Sequence, residues 1–386
     1  MKMKHGLIIL SLVFLVGASF LSLRGAWLWR GDVAISVQGL LRSSDDSLAM
    51  TESEVIAHIS LPDEVRGLYW TASTAGSERS DELLLYIKES GINTVVIDLK
   101  MDDGEIAFVA KDETLSVYQQ TEPAIDDLDG LLTKLFDNGI YRIARIAVMR
   151  DKKFGETHPE FAMKQSNGNF WTDNIGSVWV DPAAPEVAQY AIALAREAYA
   201  RGFDEVQFDY VRFASDGSIN SIVYPVYKKE KTKVEVMQSF FKTVGEAMQK
   251  EKIPVSFDVF GMTFWSFDDF NIGQRLIDIL PYADFISPMV YPSHYVDGFE
   301  GFANPAEFPY EIVKRSLDEG TRLIHGFYTD SDAKLSAHWR PWLQDFDIGA
   351  VYSSDLIEAQ IKATRDAGAS GWILWNARNV YEPADY

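Results

Sequence analysis

The chain has 386 residues, with 36 Lys and Arg against 57 Asp and Glu and no cysteine. That length fits one α/β barrel of roughly 250 residues with extensions, and 47% hydrophobic content is enough to close a core. A formal charge of −21 argues against nucleic-acid binding, which needs clustered cations. The missing cysteine excludes disulfides, thiolate nucleophiles and Cys-ligated metal.

Lys2, Lys4 and His5 precede an uncharged stretch from Gly6 to Leu23, closed by Arg24. A basic start before an apolar run reads as an export signal. The run falls between a signal-peptide core of about 7–15 residues and a span of about 20. Val16-Gly17-Ala18 offers a cleavage site, so removal and retention both stay open. The protein is expected to be secreted, or held at the outer face of the cytoplasmic membrane by this segment alone. Residues 1–30 contain no acid and four cations, so the remaining 32 Lys and Arg face all 57 acids, a balance of −25. Residues 31–64, with Ser43-Ser44-Asp45-Asp46-Ser47 as a loop, read as a spacer before a body at 65–386.

From Val65 a rhythm of strand and helix begins. The expected strands are Val65–Thr71, Asn93–Lys100, Tyr141–Met149, Asp204–Phe213, Pro254–Phe260, Asp284–Tyr291, Thr321–Tyr328 and Gly371–Asn376. Between them lie expected helices at Asp81–Ser90, Asp126–Asn138, Pro185–Arg201, Val234–Glu251, Ile272–Leu280, Ala306–Glu319 and Ser353–Ala367. Glycines 91, 139, 202 and 320 read as helix ends. Eight such units point to a (β/α)8 TIM barrel, with extended loops after strands three and four, at 151–184 and 214–233. No Gly-x-Gly-x-x-Gly follows the first strand, which weighs against a dinucleotide fold.

Strand alternation then sorts the side chains. Val206, Phe208 and Tyr210 form the outer face of the fourth strand, and Gln207 and Asp209 point inward. On the fifth, Ser256 and Asp258 point inward; on the second, Asp98 and Lys100 do; the third offers Arg145. Inward carboxylates are costly unless paired, and barrel sites sit at the strand C-terminal ends where these residues lie. The bland alternative is a buried ionic network of Asp98, Arg145 and Asp209. Aromatic residues at strand ends (Trp70, Trp265, Tyr291, Tyr328 and Trp375) suit the apolar faces of sugars, and also suit packing of the top layer. Trp171, Asp173 and Trp179 in the loop after strand three are either substrate contacts or packing groups.

Several segments resemble one family of exported bacterial barrels, described as glycosyl hydrolase domains of otherwise unknown function. They include Arg66-Gly67-Leu68-Tyr69, Val96-Ile97-Asp98-Leu99-Lys100, Trp179-Val180-Asp181-Pro182, Phe203 through Phe213, Asp258-Val259-Phe260-Gly261 and Ser287-Pro288-Met289-Val290-Tyr291-Pro292. The resemblance spans residues 65–386 and implies a glycosidase on a barrel. A more distant likeness is to family-18 chitinases, whose Asp-x-x-Asp-x-Asp-x-Glu corresponds to Asp204, Gln207 and Asp209 here. Val211 stands where their catalytic Glu would be, which argues against substrate-assisted chemistry. An amylase-like arrangement fits only if Asp258 replaces the Glu after strand five.

The expected mechanism has Asp209 as nucleophile or general base and Asp258 as the partner acid. Asp98, Lys100, Arg145 and Arg212 form the supporting charges; Trp70, Gln207, Trp265, Tyr291, Tyr328 and Trp375 form the substrate contacts. Retaining chemistry needs carboxyls about 5–5.5 Å apart and inverting chemistry about 6.5–9.5 Å. No His-Glu-x-x-His, Gly-x-Ser-x-Gly or phosphate loop is present, so no metal or cofactor is expected. The expected partner is a neutral or weakly charged glycan rather than nucleic acid. A degenerate barrel that binds cell-surface glycan without cutting it remains the alternative, kept open by Val211.

Overall fold

The computed structural model describes residues 56–382 and residue 386. The export segment and most of the spacer lie outside the described residues. Among the described residues, no helix is long and apolar enough to cross a membrane.

Eight parallel strands close into a barrel in sequence order: β1 Val65–Trp70, β2 Thr94–Lys100, β3 Tyr141–Ala147, β4 Glu205–Asp209, β5 Val255–Phe260, β6 Phe285–Met289, β7 Trp342–Gln344 and β8 Gly371–Trp375. The connecting helices are α1 Arg79–Glu89, α2 Leu128–Asp137, α3 Pro185–Arg201, α4 Lys233–Glu251, the single turn α5 Leu276–Ile279, α6 Pro309–Ile324 and α7 Ser354–Asp366. The chain is a (β/α)8 TIM barrel. Local chemistry sets several boundaries. Pro185 opens α3 with a preset φ, and Gly202 closes it at φ 116°. Thr232 and Glu235 cap α4 reciprocally.

The strands separate two cores. Leu68, Trp70, Val95, Ile97, Val206 and Phe208 pack outward with the helices. Tyr69, Val96, Tyr141, Ile143, Tyr291, Trp342 and Ile373 fill the interior. Below the mouth, Glu205 and Arg340 form a pair with no exposed surface, and the Ser256 hydroxyl donates to Glu205 at 2.6 Å.

The expected seventh strand, Thr321–Tyr328, is incorrect. Thr321–Ile324 is the last turn of α6, and the strand is the three-residue Trp342–Gln344. Gly320 lies inside α6 rather than ending a helix. A Cβ there would sit 2.1 Å from Phe264, so this glycine permits close packing rather than termination. The fourth strand stops at Asp209, not Phe213, because Tyr210 takes φ 53° and turns the chain out of the sheet. The expected helix Ile272–Leu280 shrinks to α5 and one 3₁₀ turn at Leu280–Tyr282.

Candidate active site

Four strands converge on one guanidinium. Arg145, inward on β3, donates through Nη1 to Asp98 of β2 and through Nη2 to Asp209 of β4. Its Nε lies 3.6 Å from Asp258 Oδ2 of β5. The Tyr69 hydroxyl of β1 donates to the other oxygen of Asp98, and the Trp342 indole donates to Asp258 Oδ1 at 2.7 Å. The Asp209 Oδ1 atom accepts the Tyr210 backbone N–H, so the turn that ends β4 also fixes this carboxylate.

Burial and charge separate the three acids. The Asp209 side chain is 11% exposed and Asp258 only 1%. Burial pushes the Asp258 carboxyl well above its ordinary value and the nearby Asp209 charge adds to this; Arg145 and Trp342 offset only part. Asp258 Oδ2 has no hydrogen-bond partner, which leaves it free to carry a proton. Asp98 is also raised by burial, against the pull of Arg145 and the Tyr69 hydrogen bond. Three carboxylates around one cation are two charges in excess if all ionise, and such an excess is resolved by retaining protons. The arrangement can therefore hold an ionised and a protonated carboxyl side by side, the pairing that acid/base work on a glycosidic oxygen requires.

Aromatic rings complete the mouth. Tyr291 and Tyr69 lie 5.7 and 6.2 Å from the partly exposed Trp375, and Phe346 packs on Tyr291 and Trp375. A groove of about 830 Å³ lies elsewhere, lined by Tyr224, Tyr227, Lys233 and Arg275. It holds none of the paired carboxylates, so chemistry rather than volume identifies the candidate site. Among the described residues, no group of three His, Asp or Glu side chains is disposed to hold a metal ion.

Asp98, Arg145, Asp209, Asp258, Tyr291 and Trp375 thus come together, and other expected residues do not. Lys100 follows an irregularity in the β2–β3 ladder; it pairs with Asp151 at 2.6 Å and leaves Asp98 to Arg145. Arg212 makes no ion pair with Asp209. Trp70 lies on the outer face of β1, fully buried, because its parity is opposite to that of Tyr69. Gln207 points inward but is fully buried beneath Asp209, donating to Ser287 Oγ at 3.0 Å. Trp265 bonds Ser316 of α6, and Tyr328, no longer on a strand, bonds the Ile277 carbonyl. Trp171 and Trp179 are buried packing groups in the ordered loop, and Asp173 pairs with Arg150 at 2.9 Å.

Tyr69, Trp342 and Phe346 are the contributors that sequence reasoning missed. Strand parity contained the signal for Tyr69, since Gly67 and Tyr69 alternate with the apolar Leu68 and Trp70. Trp342 was hidden by Pro341, which makes a weak strand signal weaker.

A family with the description "Putative glycosyl hydrolase domain" matches residues 67–381. Among solved structures, a hypothetical protein from Ruminiclostridium thermocellum is 31% identical, covering 50% of this chain and 97% of its own, with a TM-score of 0.43. The PgaB (BpsB) glycoside hydrolase domain from Bordetella bronchiseptica is 12% identical, covering 81% and 94%, with a TM-score of 0.56. That likeness is one of fold. No curated protein matches the sequence.

Proposed function

The chain belongs to this glycosyl hydrolase domain family, and from that premise we propose that it hydrolyses a glycosidic bond of a neutral or weakly charged glycan with Asp209 and Asp258. Asp209, hydrogen-bonded to Arg145 and reachable from the mouth, serves as nucleophile or general base. Asp258, held protonated by burial and by the charge of Asp209, supplies the proton to the leaving oxygen. Tyr291 and Trp375 offer apolar faces to the sugar. The observation that carries the reading is the single guanidinium shared by carboxylates from three strands at the C-terminal end of the barrel.

The reading separates from the binding-only alternative in one paired experiment on exopolysaccharide and cell-wall oligosaccharides. Reducing-end release is followed beside calorimetric titration of the same glycans. Release is the expected outcome. Glycans that bind tightly and emerge uncut would instead establish a binding module.

A further inference from the structure

Arg212 lies beside the carboxylate cluster but outside its ion pairs. Its Nη1 donates to the Phe213 carbonyl and to Ser215 Oγ, both at 3.1 Å. Arg142, Arg145, Arg150 and Arg340 each have a carboxylate partner; among the described residues, Arg212 has none within 4.0 Å. The acids that face it are engaged elsewhere. Asp209 is held by Arg145, and Asp216 accepts the Asn174 backbone N–H at 3.0 Å. The cation Arg150 faces it too and only adds repulsion.

The guanidinium is clamped by rings. Phe260, at the end of β5, lies 4.5 Å away, Trp179 4.8 Å and Tyr210 5.5 Å. Stacking of this kind holds the plane fixed. What remains is the edge formed by Nε and Nη2. Neither nitrogen donates to a described residue; both of the side chain's hydrogen bonds run through Nη1. Those two N–H groups are the parallel pair that fits a carboxylate side-on. The residue as a whole is only 6% exposed, and a cation so buried without a counter-charge is costly. Ring stacking accounts for the position of the plane, but not for a donor edge left open beside Asp209.

We infer that Arg212 is a subsite for the carboxylate of an acidic sugar, a single uronic-acid-type unit within an otherwise neutral glycan, bound by Nε and Nη2. The acidic surface repels an extended polyanion, whereas one carboxylate meets one cation. The glycan part of this inference rests on the hydrolase reading; the carboxylate part does not.

The test follows arginine Nε–H signals by NMR in the full chain during titration with sodium D-glucuronate, D-glucose or sodium phosphate at constant ionic strength. Glucuronate is expected to shift the Arg212 signal saturably, with affinity at least about tenfold above glucose and above phosphate. R212Q is expected to abolish calorimetric glucuronate binding. R212K, which keeps charge but not the side-on pair, is expected to weaken it about tenfold and covers the case in which R212Q does not fold. An unmoved Arg212 signal, an equal response to phosphate, or an R212K variant that binds like the wild type overturns the inference. Glycan release with Arg212 indifferent to glucuronate removes the subsite and leaves the hydrolase reading standing. Glucuronate binding at Arg212 with no glycan cut does the reverse.

Discussion

Arg145 is where the acids of the barrel mouth meet, because carboxylates from three strands lie against its one guanidinium. Asp258 rises mainly through burial, and its one hydrogen-bond donor, Trp342, pulls the other way. Removing the indole in W342F should therefore raise the Asp258 value further and move the alkaline limb of the kcat profile to higher pH, as measured on any cleaved glycan. A limb that moves down, or not at all, separates Asp258 from the proton. Asp345 offers a second test, on stability. Burial and the nearby Glu382 and Asp347 raise it to about 8, and its Oδ2 has no partner. A folded-state value above the unfolded one means that the folded protein binds the extra proton. Stability is then whole below about pH 4 and is lost as pH climbs toward 8, by about 1.4 kcal/mol per unit. D345N escapes this loss, so its Tm advantage over the wild type should widen between pH 4 and 8 and then level off. A constant difference across that range would contradict the assignment.

At the scale of elements, strand parity carried most of the site. It aimed Asp98, Arg145, Asp209 and Asp258 inward, because neighbouring side chains on a closed parallel sheet face either the helices or the interior. Parity misleads where the strand itself ends or bulges. The irregular ladder at Asp98–Lys100 redirects Lys100, and the left-handed turn at Tyr210 removes Arg212 from the alternation. The seventh strand was illegible for another reason. Three residues after Pro341 give no periodicity to read, whereas the apolar end of α6 mimics a strand. Gly320 was misread with it. Its Cβ-free surface lets Phe264 lie against α6, so G320A should cost about 1–3 kcal/mol despite the better helix propensity of alanine. Chemical denaturation measures this directly, and a G320A protein more stable than the wild type would show that Phe264 yields freely.

Over the whole molecule, one barrel hosts two kinds of buried charge. Glu205 and Arg340, deep in the interior, are sealed and mutually paired, a structural use of ionic groups. The cluster on Arg145 lies at the other end, partly open, with more acid than base and rings around it. The composition foretold an acidic, aromatic protein without thiols, and the repeat of eight units foretold the closed sheet. Inward parity already suggested the ionic network of Asp98, Arg145 and Asp209, which the structure contains; that Asp258 joins it depends on the closed barrel bringing β5 beside β4, a relation no local pattern encodes. The most direct test of the account compares reducing-end release by the wild type with that by D209N, D258N and D98N, each verified as folded by circular dichroism. D209N and D258N are predicted to lose activity by about 10²–10⁴-fold, the usual worth of a positioned acid or base, and D98N by less. Full release by D209N or by D258N would contradict the assignment of the catalytic pair.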